Sequence, residues 1–450
     1  MPYEGEYAHY QPLKRIVESE RVQQLLKRSR ILEHSELVSE CTPKTPPEPT
    51  TTIPSLIVAV DGSYAEVDVR NGYPGAKVGY CSVASVIVNL AEVERLDAAR
   101  PVSPIEFRKT EDPSSDAAAL PGCNVITRDH VSAADSFREA IFDLLHDAII
   151  DEEDNTRLLA TYQALLANKP TDKISCPYVR LGCDREVAIS QNMATCPCEY
   201  QKPLFPTDAL RIHERFNDEL GSNGEAFGLV MTIWERLLLI HLLRCFEQRD
   251  WLGKLSDVAF FMDGPLAVFG PPAWLSAAIS KELQRINSKV RAQTGSDMVI
   301  VGIEKSGNFV AHFAELDKRE DGSPHFEPAT YFLPTDSYIK KRVIYSASAK
   351  QYGVDTYFGR KFLYKTRSGA RIVANIAFLT SEQDSLDNDD PSPFPQFGTV
   401  CSLLDKLATS RFENALAPLV SAHAQAAIPL QLGQKVLKQL AQALMRERER

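Results

Sequence analysis

Three acidic residues stand where the chain would hold a carboxylate rigidly against one site. Asp61 follows an apolar run in VAVDGS, and Asp263 follows a similar run in FFMDGPL. Glu235 lies on the apolar stretch WERLLL, where a buried charge needs a partner or a metal ion. Carboxylate oxygens suit hard, exchangeable ions such as Mg²⁺ or Mn²⁺, which activate water and neutralise charge on a phosphodiester. The three residues therefore predict a site for one or two such ions.

Each of these residues also has a simpler interpretation. An aspartate followed by glycine often only forms a turn, and Asp61 and Asp263 are both followed by glycine. Glu235 could form an ion pair with Arg236 near the surface. The metal interpretation depends on the joint pattern of two strand ends with a buried helix between them.

Four cysteines form a second cluster, with the spacing C-x6-C-x12-C-x-C; they are Cys176, Cys183, Cys196 and Cys198. Four thiolates are a common ligand set for structural zinc, but this spacing is not that of a standard zinc ribbon. Buried thiols and a redox role are the alternatives. The cluster predicts a possible zinc-binding segment over residues 176–198.

Basic and aromatic residues alternate in DTYFGRKFLYKTRSGAR, which has a strand-like pattern. One face of such a strand could hold a DNA backbone while aromatic rings stack on bases, and the alternative is an ordinary solvated hairpin. The predicted DNA-binding residues are Tyr357, Arg360, Lys361, Lys365 and Arg367, with Tyr364 between them.

Composition limits the class of protein. The 450 residues are 44% hydrophobic and 24% charged, which is typical of a globular protein, and the net charge of −10 argues against a surface that coats nucleic acid everywhere. The start MPYEGEYAHY has no apolar signal segment, and every apolar run is shorter than the roughly 18 residues of a membrane span. We therefore expect a cytoplasmic protein with no membrane partner, whose cysteines stay reduced.

The order of predicted elements indicates an α/β architecture with a mixed sheet and flanking helices. Residues 1–50 predict a helical arm and a linker, and 51–450 one domain with an insertion at about 100–210. Residues 100–135 resemble a surface excursion, and the run KKRVIYS resembles a strand.

The ordered motifs VAVDGS, WERLLL, FFMDGPL and VGIEKSG resemble the NurA nuclease family, over residues 55 to 380. The resemblance implies an RNase H-like fold and a homodimer that cleaves DNA together with a HerA-type hexameric ATPase, in end processing or in defence against phage. It implies Mn²⁺ or Mg²⁺ on Asp61, Glu235 and Asp263, with Lys305 at the substrate phosphate.

One family feature has no obvious counterpart. Family members often end with a histidine after a Pro-Leu segment, whereas the segment IPLQLGQKV places Gln434 there. Either that alignment is wrong, or His423 or Asp336 takes the role; Asp336 could equally be a simple helix N-cap. Two other functions therefore stay open: an adaptor with a weakened site that binds DNA and the ATPase, or a metal phosphohydrolase acting on RNA or nucleotides.

Overall fold

The computed structural model describes residues 10–29, 41–70, 75–94, 111–127, 130, 132–151, 156–171, 173–198, 201–319, 321–408, 416–428 and 432–447. The chain divides into two units, residues 1–42 and 43–450. The first contains helices α1 (Tyr10–Glu18) and α2 (Glu20–Arg28). The predicted boundary between arm and domain at residue 50 stays a prediction.

The second unit is built on one eight-stranded mixed sheet. Its strands are β1 (Leu56–Arg70), β2 (Ala76–Asn89), β3 (Glu111–Pro121), β10 (Val258–Asp263), β11 (Val299–Glu304), β12 (Thr330–Phe332), β13 (Gly359–Lys365) and β14 (Arg371–Ala377). They are arranged in the order β12-β13-β14-β11-β10-β1-β2-β3. β1, β2 and β3 are antiparallel, while β1, β10 and β11 are parallel. This arrangement of β3-β2-β1-β10-β11 is that of an RNase H-like sheet, which confirms the predicted fold class.

Helices cover both faces of the sheet. Those of the second unit are α3 (Leu90–Glu94), α4 (Ala133–Asp147), α5 (Leu158–Leu166), α6 (Gly224–Gln248), α7 (Trp274–Thr294), α8 (Asn308–Leu316), α9 (Asp336–Tyr338), α10 (Phe397–Leu407), α11 (Ala417–Ala426) and α12 (Leu432–Glu447). Short 3₁₀ segments span Pro177–Leu181, Pro206–Leu210, Ile212–Arg215 and Leu252–Asp257.

Alternation along β1 supplies the two layers of the core. Val58 and Val60 face the core that contains α4 to α7, whereas Ile57 and Ala59 face the core that contains α10 and α11. The long helix α6 passes between the sheet and its neighbours, so its all-round apolar sequence is explained by burial. By length and composition alone α6 could cross a membrane, but 72% of its most apolar window is buried in the protein.

Small two-stranded sheets lie between α4 and α6, in the region predicted as an insertion. They pair β4 (Ile149–Asp151) with β5 (Thr156–Arg157), β6 (Lys173–Ser175) with β7 (Glu186–Ala188), and β8 (Ala194–Thr195) with β9 (Pro203–Leu204).

Two local predictions were wrong. Residues 111–121 of the supposed surface excursion form β3, which pairs with β2 along its whole length at the edge of the sheet. An edge position tolerates Pro113, because its missing amide is not needed by an inner neighbour. The KKRVIYS run is not a strand, because Ile339–Val343 form a π-helical turn directly after α9. Residues 95–110 lie outside the described residues.

Candidate active site

Asp61 lies inside strand β1 and not at its end. The parallel pairing of β1 with β10 stops at Val60, while the pairing with β2 continues through Asp61 and Gly62 to Arg70. Gly62 therefore forms no turn, contrary to the sequence prediction. Asp61 is the first residue beyond the parallel pairing, and its side chain is only 1% exposed. The end of that pairing leaves room for other side chains next to a buried carboxylate.

Because Gly62 has no side chain, the carboxylate of Glu235 on helix α6 can approach strand β1 closely. A Cβ built on Gly62 would lie only 2.6 Å from Glu235 Oε1, closer than real contacts allow. The other carboxylate oxygen, Oε2, accepts a hydrogen bond of 2.6 Å from Arg236 Nη1. The predicted ion pair of Glu235 with Arg236 is therefore present, but it lies in the interior and beside Asp61 and not near the surface.

Asp263 ends β10 and meets Asp61 at the same place. Their carboxyl groups lie within hydrogen-bonding reach of each other. Lys305, just after β11, places its Nζ 2.9 Å from Asp263 Oδ1 and 3.9 Å from Asp61 Oδ2. Since β10 and β11 are parallel neighbours, their carboxyl ends bring Asp263 and Lys305 to one edge. The structure thus gathers all four principal predicted residues.

His423 completes the group from helix α11. Its Nδ1 lies 2.9 Å from Asp61 Oδ2, although the two residues are 362 positions apart in sequence. His423 follows Pro418 and Leu419, so this earlier Pro-Leu segment provides the histidine. Gln434, the position offered by the other alignment, lies on the next helix, α12.

Crowding of carboxylates raises their proton affinity. Burial, followed by the charge of Asp263, raises the pKa of Asp61 to about 6, although Lys305 and His423 oppose the shift. Burial also raises the pKa of Glu235 to about 8, against the opposing charge of Arg236. Three carboxylates thus face the fixed cations of Arg236 and Lys305, and a further cation would be stabilised here.

Asp336 does not join this group. Its carboxylate accepts hydrogen bonds from Lys340 Nζ at 2.7 Å and from the amide of Tyr352 at 2.6 Å. Thr335, and not Asp336, is the N-cap of α9, because its hydroxyl accepts from the amide of Tyr338. Asp336 therefore ties together α9 and the loop before β13.

The basic strand is largely buried, which corrects the prediction of a DNA-binding hairpin. Every residue of β13 is buried, because β12 and β14 flank it and helices cover its faces. Arg360 Nη atoms donate to three main-chain carbonyls, those of Pro334, Ser385 and Asn388. Lys365 Nζ is bound by the carboxylate of Asp317 at 2.8 Å.

The remaining members of that predicted set differ among themselves. Arg367 is exposed and pairs with Asp405, which also accepts the hydroxyl of Tyr364. Lys361 forms a 2.7 Å ion pair with Glu304, and with Tyr357 it lines a cleft that includes Asp263 and Lys305. Only Lys361 and Tyr357 of the predicted set thus lie beside the carboxylate group.

That cleft has a volume of about 430 Å³ and an aromatic wall. Phe269 contacts Tyr357 edge to face, Tyr357 contacts Tyr352, and Tyr352 contacts Phe309, with ring centroids 5.5 to 5.9 Å apart. Lys361 Nζ lies 3.6 Å from the Phe309 ring centroid. Phe269 is 44% exposed, so the wall presents a free ring surface to the solvent. Sequence reasoning missed this wall, because its rings come from three separate segments.

The four clustered cysteines converge as well. The sulfur atoms of Cys176, Cys183 and Cys196 lie within 4.8 Å of one another, and all four thiols are buried. This group belongs to the small sheets β6–β9 and shares no residue with the carboxylate group.

The comparison with protein families decides the assignment. The model of the NurA domain matches residues 55–428, more than half of the chain. The chain belongs to the NurA family. This NurA-family match extends past residue 380, where the motif resemblance stopped, and includes His423.

Solved structures of NurA proteins are similar at low identity. The NurA nuclease from Sulfolobus solfataricus is 12% identical, with 98% of each chain covered and a TM-score of 0.36. A second NurA structure is 14% identical, covering 96% of this chain and 97% of the other, at a TM-score of 0.32. A structure of NurA with manganese is 12% identical, covering 96% and 98%, at 0.27. No curated protein sequence matches the chain significantly.

Proposed function

We propose that this NurA-family protein is a metal-dependent deoxyribonuclease that hydrolyses phosphodiester bonds. The observation that carries the proposal is the convergence of Asp61, Glu235 and Asp263 beside Lys305 and an open cleft. A carboxylate group of this kind, next to a cation and an aromatic wall, suits a substrate that is an anionic strand with stacking bases.

The residues fit Mn²⁺ or Mg²⁺. All three proposed ligands offer carboxylate oxygen, which these hard ions prefer, and the three carboxylates face two fixed cations, Arg236 and Lys305. A divalent ion held there would supply charge neutralisation at the phosphate and lower the pKa of an attacking water. One NurA structure is described as containing manganese, which favours the same class of ion.

The chain's own side chains have separable tasks in this proposal. Lys305 is one-third exposed and stands at the cleft, so its ammonium can meet a phosphate oxygen while it orients Asp263. Arg236 fixes Glu235 through Oε2 and also donates to the carbonyls of Asp263 and Pro265. His423 orients Asp61 through Nδ1, and more than half of its side chain is exposed.

The cleft supports a single-stranded substrate end. The exposed face of Phe269 offers a stacking surface for a base, and Lys361 and Lys305 place positive charge along the same cleft. We therefore propose exonucleolytic processing of DNA ends, with Tyr357 and Lys361 as the members of the predicted strand that guide the substrate. Arg360, Lys365 and Arg367 have no part in this proposal.

The partners follow from family membership alone. We propose that the protein acts as a homodimer with a HerA-type hexameric ATPase, in DNA end resection or in defence against phage. Co-purification of the two proteins, with a gene for such an ATPase beside this one, would support the partnership.

The decisive test is metal-dependent cleavage of a labelled linear DNA by the purified protein. Asp61→Asn keeps the size of the side chain but removes its charge, and we expect activity to fall by about 100-fold or more because a metal ligand is lost. Asp405→Asn, a change at a carboxylate outside the site, is the matched control and should cleave as the wild type does. Equal activity of Asp61→Asn and wild type would refute the site assignment.

The same assay separates the two alternative functions. An adaptor would bind DNA and the ATPase yet show no cleavage with Mn²⁺, even with the ATPase present. An RNA or nucleotide phosphohydrolase would cleave those substrates in preference to DNA of the same sequence. Either result would overturn the deoxyribonuclease proposal while leaving the metal site itself intact.

A further inference from the structure

We infer that Cys176, Cys183, Cys196 and Cys198 bind one structural Zn²⁺ ion that holds together the segment from β6 to β9. The inference rests on the geometry of the four thiols and on the small size of the surrounding sheets. It is independent of the proposed nuclease activity.

The spacing of the sulfur atoms suits one tetrahedral ion. Sγ of Cys196 lies 3.3 Å from Sγ of Cys176 and 4.0 Å from that of Cys183. Zinc–sulfur bonds of about 2.3 Å in a tetrahedron separate the sulfurs by about 3.8 Å. A disulfide needs about 2.0 Å, so these thiols are too far apart to be bonded in pairs. Three sulfurs, those of Cys176, Cys183 and Cys196, already lie within 4.8 Å of one another. Cys198 lies outside that set but is buried and interacts with the thiol of Cys196, so a rotation of its side chain would supply the fourth ligand.

Main-chain amides point at two of the sulfurs, although burial alone raises the pKa of both of these thiols. The two hairpins contribute two cysteines each: Cys176 and Cys183 between β6 and β7, Cys196 and Cys198 between β8 and β9. The amide of Tyr178 donates to the sulfur of Cys176, and the amide of Cys198 donates to that of Cys196. Amide donors to ligand sulfur are the second layer that orients metal ligands. Gly182, at φ +93°, makes the left-handed turn that leads into Cys183.

The segment packs Ile174, Val187 and Leu204 into the main core, but its own sheets are small. Its four strands are only two or three residues long, and isolated two-stranded sheets of this size are marginal in water. Residues of β8 are exposed, and β6 and β7 each bury a single residue. A metal ion would add to this packing by fixing the two short hairpins to each other.

A buried ion pair attaches the same segment to helix α4. Arg138 donates to the carboxylate of Asp208 at 2.7 Å and to the carbonyl of Pro203 at 3.0 Å, and its guanidinium stacks on Tyr178. Tyr178 in turn donates its hydroxyl to the same carbonyl. The metal therefore orders the interior of the segment, while Arg138 joins it to the main fold.

The test is the zinc content of the full-length protein, purified without added metal and measured by elemental analysis. We expect one zinc per chain in the wild type and a loss of that zinc in Cys183→Ser and Cys196→Ser. Cys245→Ser, on α6 and outside the cluster, is the matched control and should keep one zinc. Asp61→Asn should also keep it, which separates this centre from the carboxylate site.

A second measurement covers the case in which a cysteine variant fails to fold. Titration of the folded wild type with a thiol-specific mercurial should release one zinc, and limited proteolysis of the stripped protein should cut between residues 171 and 205. Wild-type protein that contains no zinc and four free thiols would refute the inference. Iron in place of zinc, or disulfides among these cysteines in freshly prepared protein, would refute it as well.

Discussion

The carboxylate group around Asp61 and the basic strand β13 both bury charge in the same sheet, but they balance it differently. Lys365 pairs with the carboxylate of Asp317, and Arg360 donates to three main-chain carbonyls although its Nε has no partner. Burial, followed by the charge of nearby carboxylates, raises the pKa values of Asp61 and Glu235 although cations stand beside both. Balanced burial supports the fold, whereas imbalance creates affinity for a ligand. We therefore expect the charges of β13 to serve stability and the carboxylate group to serve the proposed metal binding.

The largest effect is expected when Lys305, the cation that faces the cleft, is removed. Lys305→Met should lower the cleavage rate by about 10²- to 10³-fold, because a positioned charge at the reacting phosphate is lost. Lys289→Met is the control. Lys289 lies on α7, is exposed and pairs with Glu247 of α6, outside the carboxylate group. Lys305→Arg, which keeps the charge, should recover part of the rate. Unchanged cleavage by Lys305→Met would mean that this lysine only pairs with Asp263.

The basic strand gives the opposite expectation, a loss of stability with no loss of DNA binding. Arg360→Met removes the donor of three main-chain carbonyls, of which that of Pro334 is buried, so the free energy of unfolding should fall by about 1–3 kcal/mol. Arg367→Ala, at an 80% exposed side chain, should change it by less than about 0.5 kcal/mol. Chemical denaturation measures both effects.

DNA binding by the same two variants, measured by fluorescence anisotropy at fixed salt, decides the interpretation. We expect affinities equal to that of the wild type. Weaker DNA binding by Arg360→Met with unchanged stability would restore the interpretation of β13 as a DNA-binding strand.

The three carboxylates could be predicted from the sequence because the signal for each lies in its immediate sequence neighbours. Asp61, Glu235 and Asp263 each stand in an apolar run, and a charge in such a run is costly enough to indicate a partner. The parallel order of β10 and β11 then accounts for the meeting of Asp263 and Lys305. The family motifs added the order of these segments along the chain.

The remaining features depend on contacts that no local pattern contains. Alternating basic and aromatic residues in β13 look the same whether the strand faces solvent or lies under other segments. The partners Glu304 and Asp317 come from elsewhere in the chain. From the sequence, His423 is only one of two candidates for the role of the family's C-terminal histidine, because a second Pro-Leu segment nearer the C-terminus offers a competing alignment. Its contact with Asp61 closes a separation of 362 residues.

The smallest expected effect is the pH dependence of stability that follows from the raised pKa values of Asp61 and Glu235. Burial and neighbouring charge raise the pKa of Asp61 to about 6 and that of Glu235 to about 8, whereas both groups titrate near pH 4 in an unfolded chain, by the usual values of about 3.9 and 4.3. Between these values the folded protein binds more protons than the unfolded one. The two groups therefore contribute stability that is fully present below about pH 4 and is lost as the pH rises through 6 and 8.

Protein dialysed into metal-free buffer should thus lose on the order of 2 kcal/mol between pH 5 and pH 9 through these groups, at about 1.4 kcal/mol per unit of pKa shift, discounted for their coupling. Glu235→Gln removes one of them and should flatten the profile, and Glu382→Gln on the surface should leave it as in the wild type. Added Mn²⁺ should stabilise the wild type more at pH 8 than at pH 5, because its ligands must be deprotonated. A wild-type profile that is as flat as that of Glu235→Gln would show that Glu235 is already ionised and balanced by Arg236, and the contrast with β13 would then rest on Asp61 alone.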